Sequence, residues 1–288
     1  MNRGTKKIKT TLSSVSMNVI AVILLFMVLF PFYVLIVNSF KLEKDILLNP
    51  LSLPGSKSVP LLLTAYGAAW GYVKSYILNT VLIAVMEIAG VLIFGSAAAY
   101  GFARFRFKGK EALFSVFLAF MMVPGILTLA AQYNLVYSKL KLAQTYWGVA
   151  LPAVAGAMPS SIFLMRVFFA GLPKEMFEAA EIDGASQMRQ FLTCCLPLSL
   201  PILFMIGLST LLGAWNDLIW ARLILYGNEK LYTISVGVFV QFNSAYSKSI
   251  TDPVVYAGYC IVSLPLLIAF AFTSKQFIAG LTTGAIKM

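Results

Sequence analysis

The chain contains no histidine. That absence excludes Ser-His-Asp and Cys-His nucleophilic catalysis and every histidine-based metal site. Three cysteines, Cys194, Cys195 and Cys260, are too few for a Cys₄ zinc site and suggest no disulfide framework. Charge is scarce, at 11% of 288 residues, where a soluble domain carries about 25%. Acid is scarcer still, 11 Asp+Glu against 22 Lys+Arg, for a net charge of +11. No G-x-x-x-x-G-K-[ST] phosphate loop occurs, so the chain carries no ATP site of that kind.

Apolar residues are abundant. They make up 60% of the chain, and the mean hydropathy is +0.86. A soluble fold runs about 45–50% apolar, so the composition describes a polytopic membrane protein. Any chemistry of its own must use carboxylates, lysines or hydroxyls.

A spanning helix needs about 20 mostly apolar residues. Six segments qualify: 17–39, 76–100, 112–131, 147–170, 198–219 and 253–273. The charges inside them are Glu87, Arg166 and Asp217. Without water to satisfy the backbone the segments must be helical, and their prolines (Pro31, Pro124, Pro152, Pro159, Pro201, Pro265) are tolerated because neighbouring helices satisfy the freed carbonyls. The first apolar stretch is longer than a signal-peptide core and lacks a small-residue cleavage site, so it reads as a retained anchor.

Lys and Arg set the expected orientation. Segments 1–16 and 101–111 hold 8 in 27 residues, whereas 40–75 and 132–146 hold 6 in 51. Both termini are therefore expected in the cytoplasm, with 1–16 and 274–288 as cytoplasmic ends of a six-span membrane domain over 17–273. The run Arg104-Phe105-Arg106-Phe107-Lys108 fits lipid headgroups better than nucleic acid.

Residues 171–197 then form a long cytoplasmic connection with helix grammar. Pro173 suits a first helical position and Glu175 the first turn. Gly184 suits a left-handed stop, and Ser186 a second cap. Phe177, Ala180, Gly184, Met188 and Phe191 recur every three or four residues, one stripe if the bend is shallow. Small residues Ala179, Ala180 and Gly184 permit close approach, and Glu178, Glu181 and Asp183 offer acid. Acid disfavours rest on an anionic membrane surface, so a docked protein is the better reading.

Glu178-Ala179-Ala180, Gly184 and Leu196-Pro197 resemble the EAA loop of ABC importer permeases. A chance match at those six positions is on the order of 10⁻⁷ per starting point. Cys194 departs from the usual aliphatic residue. The resemblance extends over nearly the whole chain and narrows to the carbohydrate-importer permeases, the maltose-permease-G-like half. It rests also on Asn79-Thr80, Ala98-Ala99-Tyr100-Gly101-Phe102-Ala103-Arg104, Val123-Pro124-Gly125, Phe163-Leu164-Met165-Arg166, Trp215-Asn216-Asp217 and the ending Gly280 to Lys287. Ile126 and Glu87 depart from the family pattern.

The resemblance implies an all-α fold of six transmembrane helices, the type I ABC importer permease fold, in a bacterial or archaeal cell membrane. It implies a second homologous permease, two cytoplasmic ATPase subunits that bind ATP and Mg, an extracytoplasmic solute-binding protein and a sugar substrate. This chain would hold no cofactor or metal, catalyse nothing, and bind no nucleic acid. Glu178, Ala179, Ala180, Asp183, Gly184, Leu196 and Pro197 would couple to one ATPase.

Intramembrane polar groups are costly in lipid and mark the candidate path: Asn79, Glu87, Asn216 and Asp217, with Trp215 as a sugar-stacking face. Arg166 is expected to snorkel to headgroups. Loop 220–252, with Tyr226, Tyr232, Phe239, Phe242 and Tyr246, is expected with 40–75 to meet the binding protein. The cysteines read as packing. Two other classes stay open at this point. One is a proton-coupled secondary transporter using Glu87 and Asp217, which lacks a visible inverted repeat. The other is an intramembrane hydrolase, for which no acidic metal cluster or base is visible.

Overall fold

The computed structural model describes the backbone of residues 3–55, 59–243 and 250–285, and the side chains of 17–55, 64–242 and 250–274. Among the described residues all regular structure is helical. The N-terminal charges to Lys9, Lys57, Tyr246 and the ending from Gly280 lie outside the described side chains. The chain divides into two compact units, Met1–Tyr72 with Phe242–Ser263, and Val73–Gln241 with Leu264–Met288.

The first unit begins with α1 (Arg3–Ser39), whose residues 17–33 are all exposed. Such an apolar surface requires lipid or another chain. The short α2 (Glu43–Leu48) follows. Here a fully buried Lys41 donates from Nζ to the Asn49 and Pro50 carbonyls at 2.8 and 3.0 Å, folding the connection over its own ammonium. Burial lowers the pKa of that ammonium, and Asp45 pulls it the other way. Next comes α3 (Val59–Arg104). Leu61 to Ser75, expected as an outer connection, is already helical: Leu and Ala dominate it, and Gly67 and Gly71 weaken the helix without ending it. Small residues Ala65 and Ala69 meet Ala257 at a close helix crossing.

The second unit contains the rest of α3, then α4 (Lys110–Met121), α5 (Gly125–Asn134), α6 (Tyr146–Ala170), α7 (Lys174–Ile182), α8 (Gln187–Gln190), α9 (Leu196–Leu198), α10 (Leu200–Asn216), α11 (Ile219–Leu225) and α12 (Ile234–Asn243) up to Gln241. A final helix, α13 (Asp252–Ala285), carries the last apolar segment.

All six apolar segments fall on helices, but two are broken. Four helices are long and apolar enough to cross uninterrupted; α4 and α5 meet at 96°, and the α8–α9 stretch meets α10 at 76°. Pro124, expected inside a span, instead stands extended (φ −61°, ψ 125°) ahead of α5. A proline has no N–H to give the preceding turn and disfavours helix in the residue before it, so the chain turns there. Ser199 (φ −100°, ψ 9°) makes the second bend between Pro197 and Pro201.

One apolar core joins α3, α4, α6, α7 and the turn after α8. Its buried members include Val91, Ala99, Phe102, Phe114, Met165, Phe169, Phe177, Phe191 and Cys195. Arg166 does not snorkel freely: its Nη2 holds both Glu111 oxygens at 2.6 and 2.9 Å, and its guanidinium lies 3.7 Å from the Phe114 ring centroid. The pair ties α6 to α4. Cys260 is half-buried, less covered than expected, and all three cysteines are free.

Candidate functional site

Two sites take shape in the second unit, and α3 contributes to both. The first is the 171–197 segment. Pro173 (φ −54°, ψ 127°) caps α7 from outside instead of opening it, and Glu175 sits in the first turn as expected. At the other end Gly184 takes φ +76°. Its N–H donates to the Glu181 carbonyl at 3.0 Å and the Ala185 N–H to Ala180 at 2.9 Å, the double closure of a Schellman turn. Ser186 then caps α8, its Oγ accepting from the Arg189 N–H at 3.4 Å. Buried Gln190 locks the bend by donating from Nε2 to the Ala185 carbonyl at 3.0 Å. A π-turn over Phe191–Cys195 leads to half-buried Leu196 and exposed Pro197.

The expected single stripe splits in two, because the left-handed turn at Gly184 breaks helical register. Phe177 and Phe191 turn into the core, while Gly184 and Met188 face outward. The inner face sits on the end of α3. The Arg104 guanidinium, expected at headgroups, lies 3.5 Å from the Phe177 ring centroid. The Tyr100 ring lies 5.0 Å from that of Phe191, and its hydroxyl donates to Gln187 Oε1 at 3.2 Å. The outer face presents Glu178, Ala179, Glu181, Asp183 and Gly184 beside Ile182, 87% exposed, and half-buried Ala180 lies between the faces. A row of acid and small residues around one prominent apolar side chain, held from beneath by aromatics, can seat a rigid partner.

The second site is a cavity of about 550 Å³ midway along the unit. Glu87 of α3, Gln132 of α5, Ser160 and Ser161 of α6, and Ser209, Thr210 and Asn216 of α10 line it, with Asp217 and Trp220 beyond. Asp217 Oδ1 accepts the Trp220 N–H at 3.1 Å and so caps α11. The Trp220 Nε1 donates to the Gly148 carbonyl at 3.2 Å, which fixes the indole against the wall. Asn216 gives its Nδ2 to the Leu212 carbonyl.

Of the candidate path residues, Glu87, Asn216 and Asp217 come together here. Asn79 does not. Its Nδ2 donates to the Lys230 and Tyr232 carbonyls at 2.8 and 3.0 Å, and its Oδ1 accepts from Tyr146 at 2.8 Å. The side chain is spent on pinning the 229–233 turn to α3. Trp215 is buried off the cavity, its carbonyl accepting from Ser235. Connection 220–252 also differs from the expected polar loop. Much of it is helical, Tyr232 and Phe242 are buried, Phe239 lies under Arg222 at 4.6 Å, and Tyr226 alone of the four is well exposed.

Sequence reasoning missed Trp220, Gln132 and the hydroxyls Ser160, Ser161, Ser209 and Thr210. A signal for some of them existed. Met205, Ser209, Gly213 and Asn216 follow each other at helical spacing, a stripe of small and polar groups in an otherwise apolar span.

Residues 91–276 match the family described as the binding-protein-dependent transport system inner membrane component. The probable ABC transporter permease protein YurM of Bacillus subtilis is 32% identical over 259 residues, 90% of this chain and 83% of that one. The arabinooligosaccharides transport system permease protein AraQ of Halalkalibacterium halodurans is 30% identical over 290 residues, 100% of both chains. A chain from the crystal structure of a bacterial ABC transporter involved in import of the acidic polysaccharide alginate shares the fold. Its TM-score is 0.76 at 21% identity, covering 96% of this chain and 99% of that one. The chain belongs to the family of binding-protein-dependent transport system inner membrane components.

Proposed function

We propose that this multi-pass membrane protein is one half of the solute path of an ABC importer for a sugar or oligosaccharide. In this reading it hydrolyses nothing itself. A second permease completes the path, two ATPase subunits supply ATP and Mg chemistry, and an extracytoplasmic binding protein delivers the solute. The observation that carries the proposal is the outward row Glu178-Ala179-Ile182-Gly184 on a segment clamped to α3 by Arg104 and Tyr100. That row seats in an ATPase groove, which places 171–197 and both termini in the cytoplasm. Closure of the ATPase pair then moves α7, and the aromatic clamp passes the displacement to α3 and the cavity as a rigid-body step. The sugar class rests on relatives such as AraQ, whose name refers to arabinooligosaccharide transport.

The test is reconstitution of the chain with its partner permease, ATPase subunits and binding protein in proteoliposomes. Uptake of the solute held by that binding protein is expected to need ATP inside. An Ala179→Cys variant is expected to cross-link to an ATPase subunit. Uptake driven by a proton gradient without ATP would restore the secondary-transporter reading and remove this one.

A further inference from the structure

Glu87 is 4% exposed, in the middle of a membrane-spanning helix, and lines the cavity. Among the described residues no side chain or backbone group gives it a hydrogen bond or an ion pair. A carboxylate in that setting is costly unless something compensates it. The fold has cations to offer, and spends them elsewhere: Arg104 on Phe177, Arg166 on Glu111, Arg222 on Phe239. The cavity wall holds a second carboxylate, Asp217, and neutral Gln132, Ser209, Thr210 and Asn216, with neither Lys nor Arg among the described lining residues.

Resting on the importer reading above, we propose that this half-cavity is a charge filter. It passes a saccharide that presents hydrogen-bond donors and bars one carrying carboxylate, phosphate or sulfate groups. Glu87 is the specificity-determining residue. Its free oxygens accept from the solute's hydroxyl or ammonium hydrogens, and charge-assisted bonds of this kind are the strong ones. An anionic sugar meets like charge from Glu87 and Asp217, and no cation among the described lining residues offsets it. The alginate importer that shares this fold is involved in import of an acidic polysaccharide. The same fold thus serves an acidic solute there, and in this proposal the sign is set by the residues on the cavity wall.

The experiment reads the sign of the cavity without needing the natural solute. The whole complex, with partner permease and ATPase subunits in nanodiscs, carries Ser209→Cys. It is labelled with a cationic and with an anionic methanethiosulfonate of similar size. Rates are normalised to those of a free thiol in solution, and the parent complex supplies the background from native cysteines. The cationic reagent is expected to react ~10-fold faster, and Glu87→Gln in the same background is expected to erase most of that ratio. A ratio of one or less would place a partner cation against Glu87 and overturn the proposal. So would an unchanged ratio on Glu87→Gln, or a thiol that neither reagent reaches in any nucleotide state. ATP hydrolysis stimulated by the binding protein, measured on the same preparation, reports on the importer reading separately.

Discussion

The guanidinium of Arg104, the last residue of α3, stacks 3.5 Å from the centroid of the Phe177 ring on α7. Its Nε and Nη2 are buried with no hydrogen-bond partner among the described residues, so the ring face is what the cation has. Pairs of this type are worth about 0.5–1 kcal/mol when exposed and ~2 kcal/mol when desolvated, and half-buried Arg104 falls between the two. Phe177→Leu is expected to keep the core filled but release the cation. Complexes with this variant should retain ATP hydrolysis while solute uptake per ATP falls severalfold. A double-mutant cycle with Arg104→Gln, read on thermal stability, should give a coupling of about 1–2 kcal/mol. Independent effects would mean the two residues do not act together.

At Gly184 the left-handed backbone, φ +76°, meets open space. Gly184→Ala faces no clash but acquires strain of about 1 kcal/mol, so the turn should loosen with the ATPase still bound. Gly184→Trp adds bulk to the outward row and is expected to abolish stimulated hydrolysis and co-purification of the ATPase. Normal solute-stimulated hydrolysis in the Trp variant would show that nothing docks at this turn.

Removing the Asn79 amide leaves the Lys230 and Tyr232 carbonyls and the Tyr146 hydroxyl without their partner. Asn79→Leu is expected to destabilise the purified protein by about 2–3 kcal/mol, because buried acceptors lose donors. Hydrogen exchange at 229–233 should accelerate selectively. Uniform acceleration across α3 would assign the loss to global unfolding instead of an unlatched turn.

A Cβ at position 148 would overlap the Leu142 carbonyl oxygen, a backbone atom with little room to yield. Gly148→Ala should therefore cost at least ~1–3 kcal/mol, the usual range for overpacking. The Gly148 carbonyl also holds the Trp220 indole, so the same substitution is expected to shift tryptophan emission to the red. An unchanged spectrum would detach that hydrogen bond from the cavity wall.

Removing Lys41 tests the first unit alone. Lys41→Met keeps the apolar stem but leaves the Asn49 and Pro50 carbonyls unpaired. Limited proteolysis between residues 42 and 55 is expected to accelerate about tenfold, consistent with losing ~1–2 kcal/mol of local stability.

The 171–197 segment was legible because its rules are local. Glu175, Gly184 and Ser186 each obey a preference set by their nearest neighbours, and each stands where that preference puts it. Its facing was not legible, since one left-handed residue rotates α8 away from the register of α7 and sends Gly184 and Met188 outward. The cavity depended on a similar break. Trp215 and Trp220 are five residues apart, but α10 ends between them at Asn216, so Trp220 lines the cavity while Trp215, beside Asn216 and Asp217 in sequence, is buried away from it. Asn79 looked like a path residue for a sound reason, a polar group in an apolar span. Only the fold brings it the carbonyls of a turn some 150 residues away, which no spacing could announce. Pro124 was visible as a proline, but whether it kinks or breaks a span depends on what packs around it.

From Val73 to Arg104, α3 contains no proline. It holds the 229–233 turn at Asn79, faces the cavity at Glu87 and carries the clamp at Tyr100 and Arg104. From Asn79 to Arg104 is roughly 35–40 Å at 1.5 Å per residue. Gly90, Gly95 and Gly101 lie within that stretch without ending it, so the helix runs unbroken from one end to the other. The consequence is one of wiring: a disturbance at the Asn79 end and one at the Arg104 end meet in a single uninterrupted backbone that also carries Glu87.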